Sequence, residues 1–216
     1  MQFEIVAADD NPDQALAAAH LLWHSSPEFL GHLYNGNQPR GFTDLQDHWL
    51  QPGGLLSHHH ALIAVPAPFS IRGGEIFGLA LAMGGDHMDR QGDITTTHMA
   101  TLETDKAIPD FFKRLDVLSY FHPVIPPYAF YLQNIAVRGN LRGGGMGEKL
   151  FQAIVARARE KRYTALHLDV VSDNPAVSFY RRNGMEVLSE TDLPSLKRNY
   201  SQPSRYRMVL DIPALQ

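Results

Sequence analysis

Six residues, Arg142-Gly143-Gly144-Gly145-Met146-Gly147, carry the strongest chemical signal in the sequence. They follow a strand-like run, Tyr131 to Val137, and open an amphipathic helix. A helix that starts on glycines points several unpaired backbone N–H groups at one spot. The positive end of its dipole lies there too and favours an anion. Glycine lets that anion reach the backbone without meeting a side chain. Three consecutive glycines also cost conformational entropy, with no structural return visible in the sequence. The turn reads as a cradle for a phosphate group.

The kind of turn narrows the ligand. A P-loop needs Gly-Lys-Ser or Gly-Lys-Thr, whereas Gly147 is followed by Glu148 and Lys149. A dinucleotide fold needs G-x-G-x-x-G directly after the strand, and here Arg138-Gly139-Asn140-Leu141 intervenes. The pattern is R-x-x-G-x-G instead. A second strand follows, then Asp173-Asn174-Pro175-Ala176 and Phe179-Tyr180-Arg181-Arg182-Asn183-Gly184-Met185. These elements, in this order over about residues 128–190, resemble the GNAT superfamily of acyl-CoA N-acyltransferases.

The resemblance implies roles. Arg142, Gly143, Gly144, Gly145, Met146 and Gly147 would hold the pyrophosphate of acetyl-CoA. The backbone of Ile135, Ala136 and Val137 would pair with the pantetheine arm as an added strand does, beside a bulge that splays two parallel strands. Tyr180 aligns with the tyrosine that protonates the departing thiolate. A phenol, with an ordinary pKa near 10, is neutral at pH 7 and can donate. Asn174 aligns with an asparagine that binds the pantetheine or tyrosine region, and it serves equally well as a helix cap before Pro175.

The acceptor side is less specified. Some family members place a glutamate base on the central strand, and the matching position here is Tyr131. Gln133 and Asn134 are not bases either. Glu75, Glu103, Asp110 and His122 are base candidates by residue type alone, and an ordered water relay serves as well. Residues 86–127 form a polar, irregular stretch followed by a helix over 109–121, with Phe111, Leu115 and Leu118 on one face. This segment falls where acceptor-binding elements vary in the family. Tyr131, Gln133, Glu103, Asp110 and Phe111 are therefore the acceptor-side candidates.

Composition limits the alternatives. The chain has 216 residues, 44% hydrophobic and 19% charged, which suits one domain with a sizeable core. It has no cysteine, so a cysteinyl acyl-enzyme and thiolate metal sites are excluded. Net charge is −6 over residues 1–85, −3 over 86–127 and +5 over 128–216. The basic part suits a polyanionic cofactor, and the acidic parts suit a cationic acceptor. The acidic whole argues against nucleic acid. No run is long enough to span a membrane, and the start lacks signal-peptide features, so a cytoplasmic location is expected. Eleven histidines raise the question of a metal. His58, His59 and His60 would alternate faces in an extended segment and could not converge, so no metal site is expected. His24, His32 and His48 suit surface or half-buried helix positions.

The elements around the motif fit a mixed α/β fold, with flanking helices on a twisted, mostly antiparallel sheet whose central strands splay. Strands are expected at residues 3–7, 61–65, 75–82, 131–137, 165–171, 185–188 and 206–210. Helices are expected after Pro12, from Thr43 or Asp44 to Leu50, and from the glycine turn to about Arg162. Pro27 and Gly31 are expected to end the first helical region. The expected activity is acetyl transfer to the primary amine of a small molecule or peptide, through a direct ternary complex. The alternatives are a non-catalytic acyl-CoA-binding module, a longer acyl chain or a hydroxyl acceptor. A homodimer is compatible with the sequence.

Overall fold

The computed structural model describes residues 2–67, 74–102, 108–120, 124–194, 197 and 203–213. Strands β1 (Phe3–Ala7), β2 (Ala61–Pro66), β3 (Gly78–Gly84), β4 (Ala129–Val137), β5 (Ala165–Val171), β6 (Glu186–Thr191) and β7 (Arg205–Asp211) form one sheet. Its order is β1-β2-β3-β4-β5-β7-β6. Every neighbouring pair is antiparallel except β4 and β5. This is the GNAT-like mixed α/β architecture that the motifs imply.

Helices cover both faces. On one face lies α6 (Met146–Glu160), with α7 (Ala176–Arg182) beside it. Met146, Leu150, Phe151, Ile154 and Val155 of α6 are buried, which is the apolar stripe read from the sequence. The other face carries α1 (Pro12–Ser25), α2 (Pro27–Leu33), α3 (Gln38–Leu50), α4 (Met88–Leu102) and α5 (Ile108–Ser119). Ala15, Ala19, Leu22, Leu45, Trp49 and Phe111 pack there against Ile63, Leu79 and Leu81 of the sheet.

Local chemistry sets the helix starts. Asn11 Oδ1 accepts the Asp13 and Gln14 N–H groups at 2.8 and 3.3 Å and so caps α1. Pro27 does not end the helical region as expected. It occupies the first turn of α2, where its missing N–H costs nothing. Asn37 caps α3 through the Arg40 N–H, so that helix begins before Thr43 and Asp44.

Two further expectations are corrected. β3 begins at Gly78, so Glu75 lies outside the strand. The stretch read as irregular contains α4, despite Gly92 and the poor helix formers Thr95, Thr96 and Thr97. A distant loop holds it: Gln91 Oε1 accepts the Gly54 N–H and Thr95 Oγ1 accepts the Leu55 N–H, both at 2.6 Å. The expected end of α5 at Phe121 lies outside the described residues. No helix among the described residues is long and apolar enough to cross a membrane.

Candidate functional site

β4 and β5 pair over only three rungs: Ala129 with Ala165, Phe130 with Leu166 and Tyr131 with His167. Beyond that point β4 continues to Val137 paired with β3, and β5 continues to Val171 paired with β7. The edges that face each other across the gap have no strand partner among the described residues. Backbone polar groups on such edges need partners, and an extended ligand arm can supply them. Ile135, Ala136 and Val137 line the β4 side of this opening.

A bulge marks the parting. In the β3–β4 register Leu81 faces Asn134 while Ala82 faces Leu132, leaving Gln133 as the extra residue. The bulge shifts the alternation of side chains. Phe130 and Leu132 pack toward α6, and beyond the bulge so do Ile135 and Val137. Gln133 and Asn134 therefore both reach the opposite face. Asn134 Nδ2 donates to Ser25 Oγ at 2.7 Å, which ties the end of α1 to the strand. Gln133 Oε1 is shielded from solvent and accepts no hydrogen bond among the described residues.

The glycine turn lies at the outer end of the same strand. Gly143 and Gly145 have φ of 83° and 77°, in the left-handed region. Their identity thus has a backbone reason that the sequence did not reveal. A Cβ at either would meet no atom within 4 Å, so the space over this backbone is open to a ligand. Arg142 Nε donates to Val137 O at 3.2 Å, which holds its guanidinium beside the turn. The Met146 side chain is buried, so this residue offers only its backbone to the turn.

Tyr180 lies on α7, 8% exposed, with its ring against Phe179 and Phe151. Burial pushes its pKa well above the ordinary 10, so its hydroxyl keeps its proton. Asn174 Oδ1 accepts the Ala176 N–H at 2.8 Å at the start of that helix, as the capping reading proposed.

A cavity of ≈ 620 Å³ lies between the sheet and α1 to α5. Its walls include Leu22, Leu30, Leu33, Leu45, Met99 and Leu118. Tyr131, Gln133, Asn134, Asp169 and Arg205 form the part contributed by the sheet, and exposed Asp89 and Asp93 line it from α4. The volume falls within the range of small-molecule sites, about 300–1,000 Å³.

The polar floor of the cavity is knit together. Arg207 donates to Asp169 from Nε at 2.6 Å and from the terminal nitrogen at 2.8 Å. The Tyr131 hydroxyl donates to Asp169 Oδ2 at 3.0 Å. Asp169 and Arg207 side chains are 2% and 4% exposed. Burial and the Asp169 charge raise the Tyr131 pKa well above its ordinary value. Tyr131 is therefore a neutral donor already engaged.

Other sequence candidates lie elsewhere. Glu75 pairs with Arg138 at 2.9 Å near the end of β4. Asp110 is exposed on α5, in a shallow depression with Lys113 and Arg114, and does not line the cavity. Phe111 is 1% exposed within the helical core and does not line the cavity either. Glu103 and His122 lie outside the described residues. His58, His59 and His60 form a single 3-10 turn rather than an extended segment. Among the described residues no three His, Asp or Glu are grouped to hold a metal ion.

Asp169, Arg205 and Arg207 escaped the sequence reading. A signal was present: ionisable side chains at every second position in Leu166-His167-Leu168-Asp169 and in Arg205-Tyr206-Arg207. Such alternation places each pair on one face of its strand.

Comparison with known proteins finds a family match over part of the chain. Residues 111–185 match the acetyltransferase (GNAT) family model. A Bacillus subtilis (strain 168) protein, provisionally named ribosomal protein bS18-alanine N-acetyltransferase, is 39% identical over 56 residues. That match covers 26% of this chain and 37% of the relative's length. An N-acetyltransferase structure from Staphylococcus aureus Mu50 superposes with a TM-score of 0.70 at 13% identity, covering 96% of this chain and 100% of its own. A Bacillus subtilis acetyltransferase solved in complex with CoA superposes with a TM-score of 0.57 at 14% identity, covering 98% and 100%. The chain thus shares the fold of these solved acetyltransferases, and its residues 111–185 carry the match to the family model.

Proposed function

We propose that this GNAT-superfamily chain transfers an acetyl group from acetyl-CoA to a primary amine within one ternary complex. The parting of β4 from β5 above the Tyr131–His167 rung carries this reading, with the Arg142–Gly147 turn at the end of the same strand. Acetyl-CoA supplies an activated thioester: the amine nitrogen bonds to its carbonyl carbon, the carbon–sulfur bond breaks, and the sulfur leaves as a thiol. The backbone N–H groups of the turn bind the pyrophosphate, and Arg142 adds positive charge. Ile135, Ala136 and Val137 pair through their backbone with the extended arm. A backbone N–H near Ile135 polarises the carbonyl. Tyr180 gives its hydroxyl proton to the leaving sulfur and regains one, through water, from the nitrogen as the amide forms.

No carboxylate stands at the strand position where some family members keep a base. Tyr131 occupies it as a committed donor to Asp169. The ammonium proton therefore leaves through water, and much of the acceleration comes from holding amine and thioester together. With no cysteine in the chain, attack is direct. We read residues 1–216 as one domain, because β1 to β3 and β4 to β7 build one sheet around the opening.

Calorimetry with acetyl-CoA and a thiol-release assay with an amine panel test the reading. Binding at one site per chain and amine-dependent thiol release are expected. A folded protein that ignores acetyl-CoA overturns the reading. Binding without thiol release from any amine favours the non-catalytic module.

A further inference from the structure

We infer that the acceptor is a single primary amine on a compact apolar body, with the body in the cavity between the sheet and α1 to α5 and the amine at Gln133. This inference rests on the acetyl-transfer reading above. The cavity reaches the sheet at Tyr131, Gln133 and Asn134, where β4 leaves β5, so a molecule filling it presents one end to the thioester position.

Hydrocarbon walls select the body. Leu22, Leu30, Leu33, Leu45, Met99 and Leu118 come from five different helices and offer no polar atom from their side chains. A peptide entering there would strand amide groups against them, and each stranded group is costly. A polyamine or aminoglycoside would press further charged groups against these hydrocarbon walls. An aliphatic or aromatic amine buries hydrocarbon on hydrocarbon and has one polar end to satisfy.

Two features address that end. Gln133 Oε1, shielded and accepting no hydrogen bond among the described residues, can accept an amine N–H. Asp89 and Asp93, one helical turn apart on α4, put negative charge on the cavity lining and draw an ammonium toward it. The ammonium proton leaves through water, as in the reading above, since the chain lacks the strand glutamate.

Matched amines test the inference. Pentylamine and phenethylamine should outperform 1,5-diaminopentane and an alanyl peptide in kcat/KM by on the order of 100-fold or more. Calorimetry with CoA present should show the same order in binding, independent of turnover. Gly92→Trp supplies a variant that should fold. Gly92 lines the cavity from α4, and a Cβ there meets no atom within 4 Å, so the larger side chain starts into open space. Replacing a helical glycine also removes a conformational cost. The variant should lose pentylamine binding while acetyl-CoA affinity stays within a few-fold. Equal or better use of the diamine or the peptide overturns the inference, as does unchanged pentylamine binding by Gly92→Trp. Loss of acetyl-CoA binding by the wild-type protein would instead overturn the acetyl-transfer reading.

Discussion

The Tyr131 hydroxyl donates to Asp169 at 3.0 Å, at the level where β4 and β5 stop pairing. The same carboxylate accepts two hydrogen bonds from Arg207, so a buried ion pair sets the orientation of the phenol. Under the proposed transfer, Tyr131 contributes shape and a donor to the cavity floor and takes up no proton. Tyr131→Phe should cost about 1 kcal/mol of stability, the worth of an ordinary hydrogen bond. Acetyl-CoA affinity should stay within a few-fold and the acceptor KM should rise. The pH profile of kcat should keep its shape. A lost limb in that profile would identify Tyr131 as a titrating catalytic group.

Asp169 should matter far more for folding than for chemistry. Removing its charge breaks a buried ion pair from one side, which costs about 3–5 kcal/mol. Asp169→Asn should shift the urea midpoint strongly downward. A stability within 1 kcal/mol of wild type, on the scale of a surface pair, would contradict the burial of the pair.

Particular residues show why some of this was legible in the sequence. Ala165–Val171 matches β5 to the residue, because the Lys161-Arg162 turn and Ser172-Asp173-Asn174-Pro175 bracket a short, largely apolar run. The α6 stripe was legible because Leu150, Phe151, Ile154 and Val155 repeat at helical spacing. α4 was hidden because Gly92 and Thr95 to Thr97 argue against a helix, and the bonds that hold it come from Gly54 and Leu55. The Asp169–Arg207 pair was hidden for a topological reason. β7 inserts between β5 and β6, so strands distant in sequence face each other. Nothing local announces the bulge at Gln133, yet it turns two consecutive side chains to one face. Glu75 was read inside a strand that in fact starts at Gly78, which left it beside Arg138.

The cofactor assignment is best probed at Gly144. Gly145 has positive φ, so any side chain there strains the turn and confuses a binding defect with misfolding. A Cβ at Gly144 meets only Leu141 O, at an ordinary 3.8 Å. Gly144→Asp should leave the melting temperature nearly unchanged and put a carboxylate where the pyrophosphate is proposed to lie. Acetyl-CoA affinity should fall at least tenfold, and more steeply at low salt because the repulsion is unscreened there. Unchanged affinity would move the phosphate site elsewhere.

Stability should fall as the solution is acidified, and His48 is one identifiable cause. Expected at a surface or half-buried position, it is 1% exposed, and its ring meets His98 edge-on at 4.6 Å. Burial first, and the His98 charge second, push its pKa from 6.5 down to about 3. The unfolded chain therefore binds a proton below pH 6.5 that the folded chain refuses until about pH 3. The stabilisation is complete above pH 6.5 and shrinks through the window between these values, by about 1.4 kcal/mol per pH unit. His60 and His167, lowered chiefly by burial, act in the same direction. Denaturation at pH 7.5 and 5.0 measures the slope. His48→Gln should flatten it even if stability at pH 7.5 falls. An unchanged slope would assign the effect to other groups.

The proton for the leaving sulfur is the last point to test, and the surroundings of Tyr180 make the test clean. No hydrogen bond of its hydroxyl contributes to the raised pKa, which burial alone causes. Tyr180→Phe keeps the ring against Phe151 and Phe179 and removes an oxygen that anchors nothing among the described residues. Stability should therefore stay within about 0.5 kcal/mol of wild type. A free thiol has an ordinary pKa near 8.5, so a departing thiolate is a fair leaving group even without an acid. The loss in kcat should then lie near the 10²-fold low end for general acid catalysis. Acetyl-CoA affinity should remain within a few-fold, and measurements should be made with a slow acceptor so that chemistry limits the rate. Wild-type kcat in a stably folded Tyr180→Phe enzyme would assign the proton to water or to the acceptor itself.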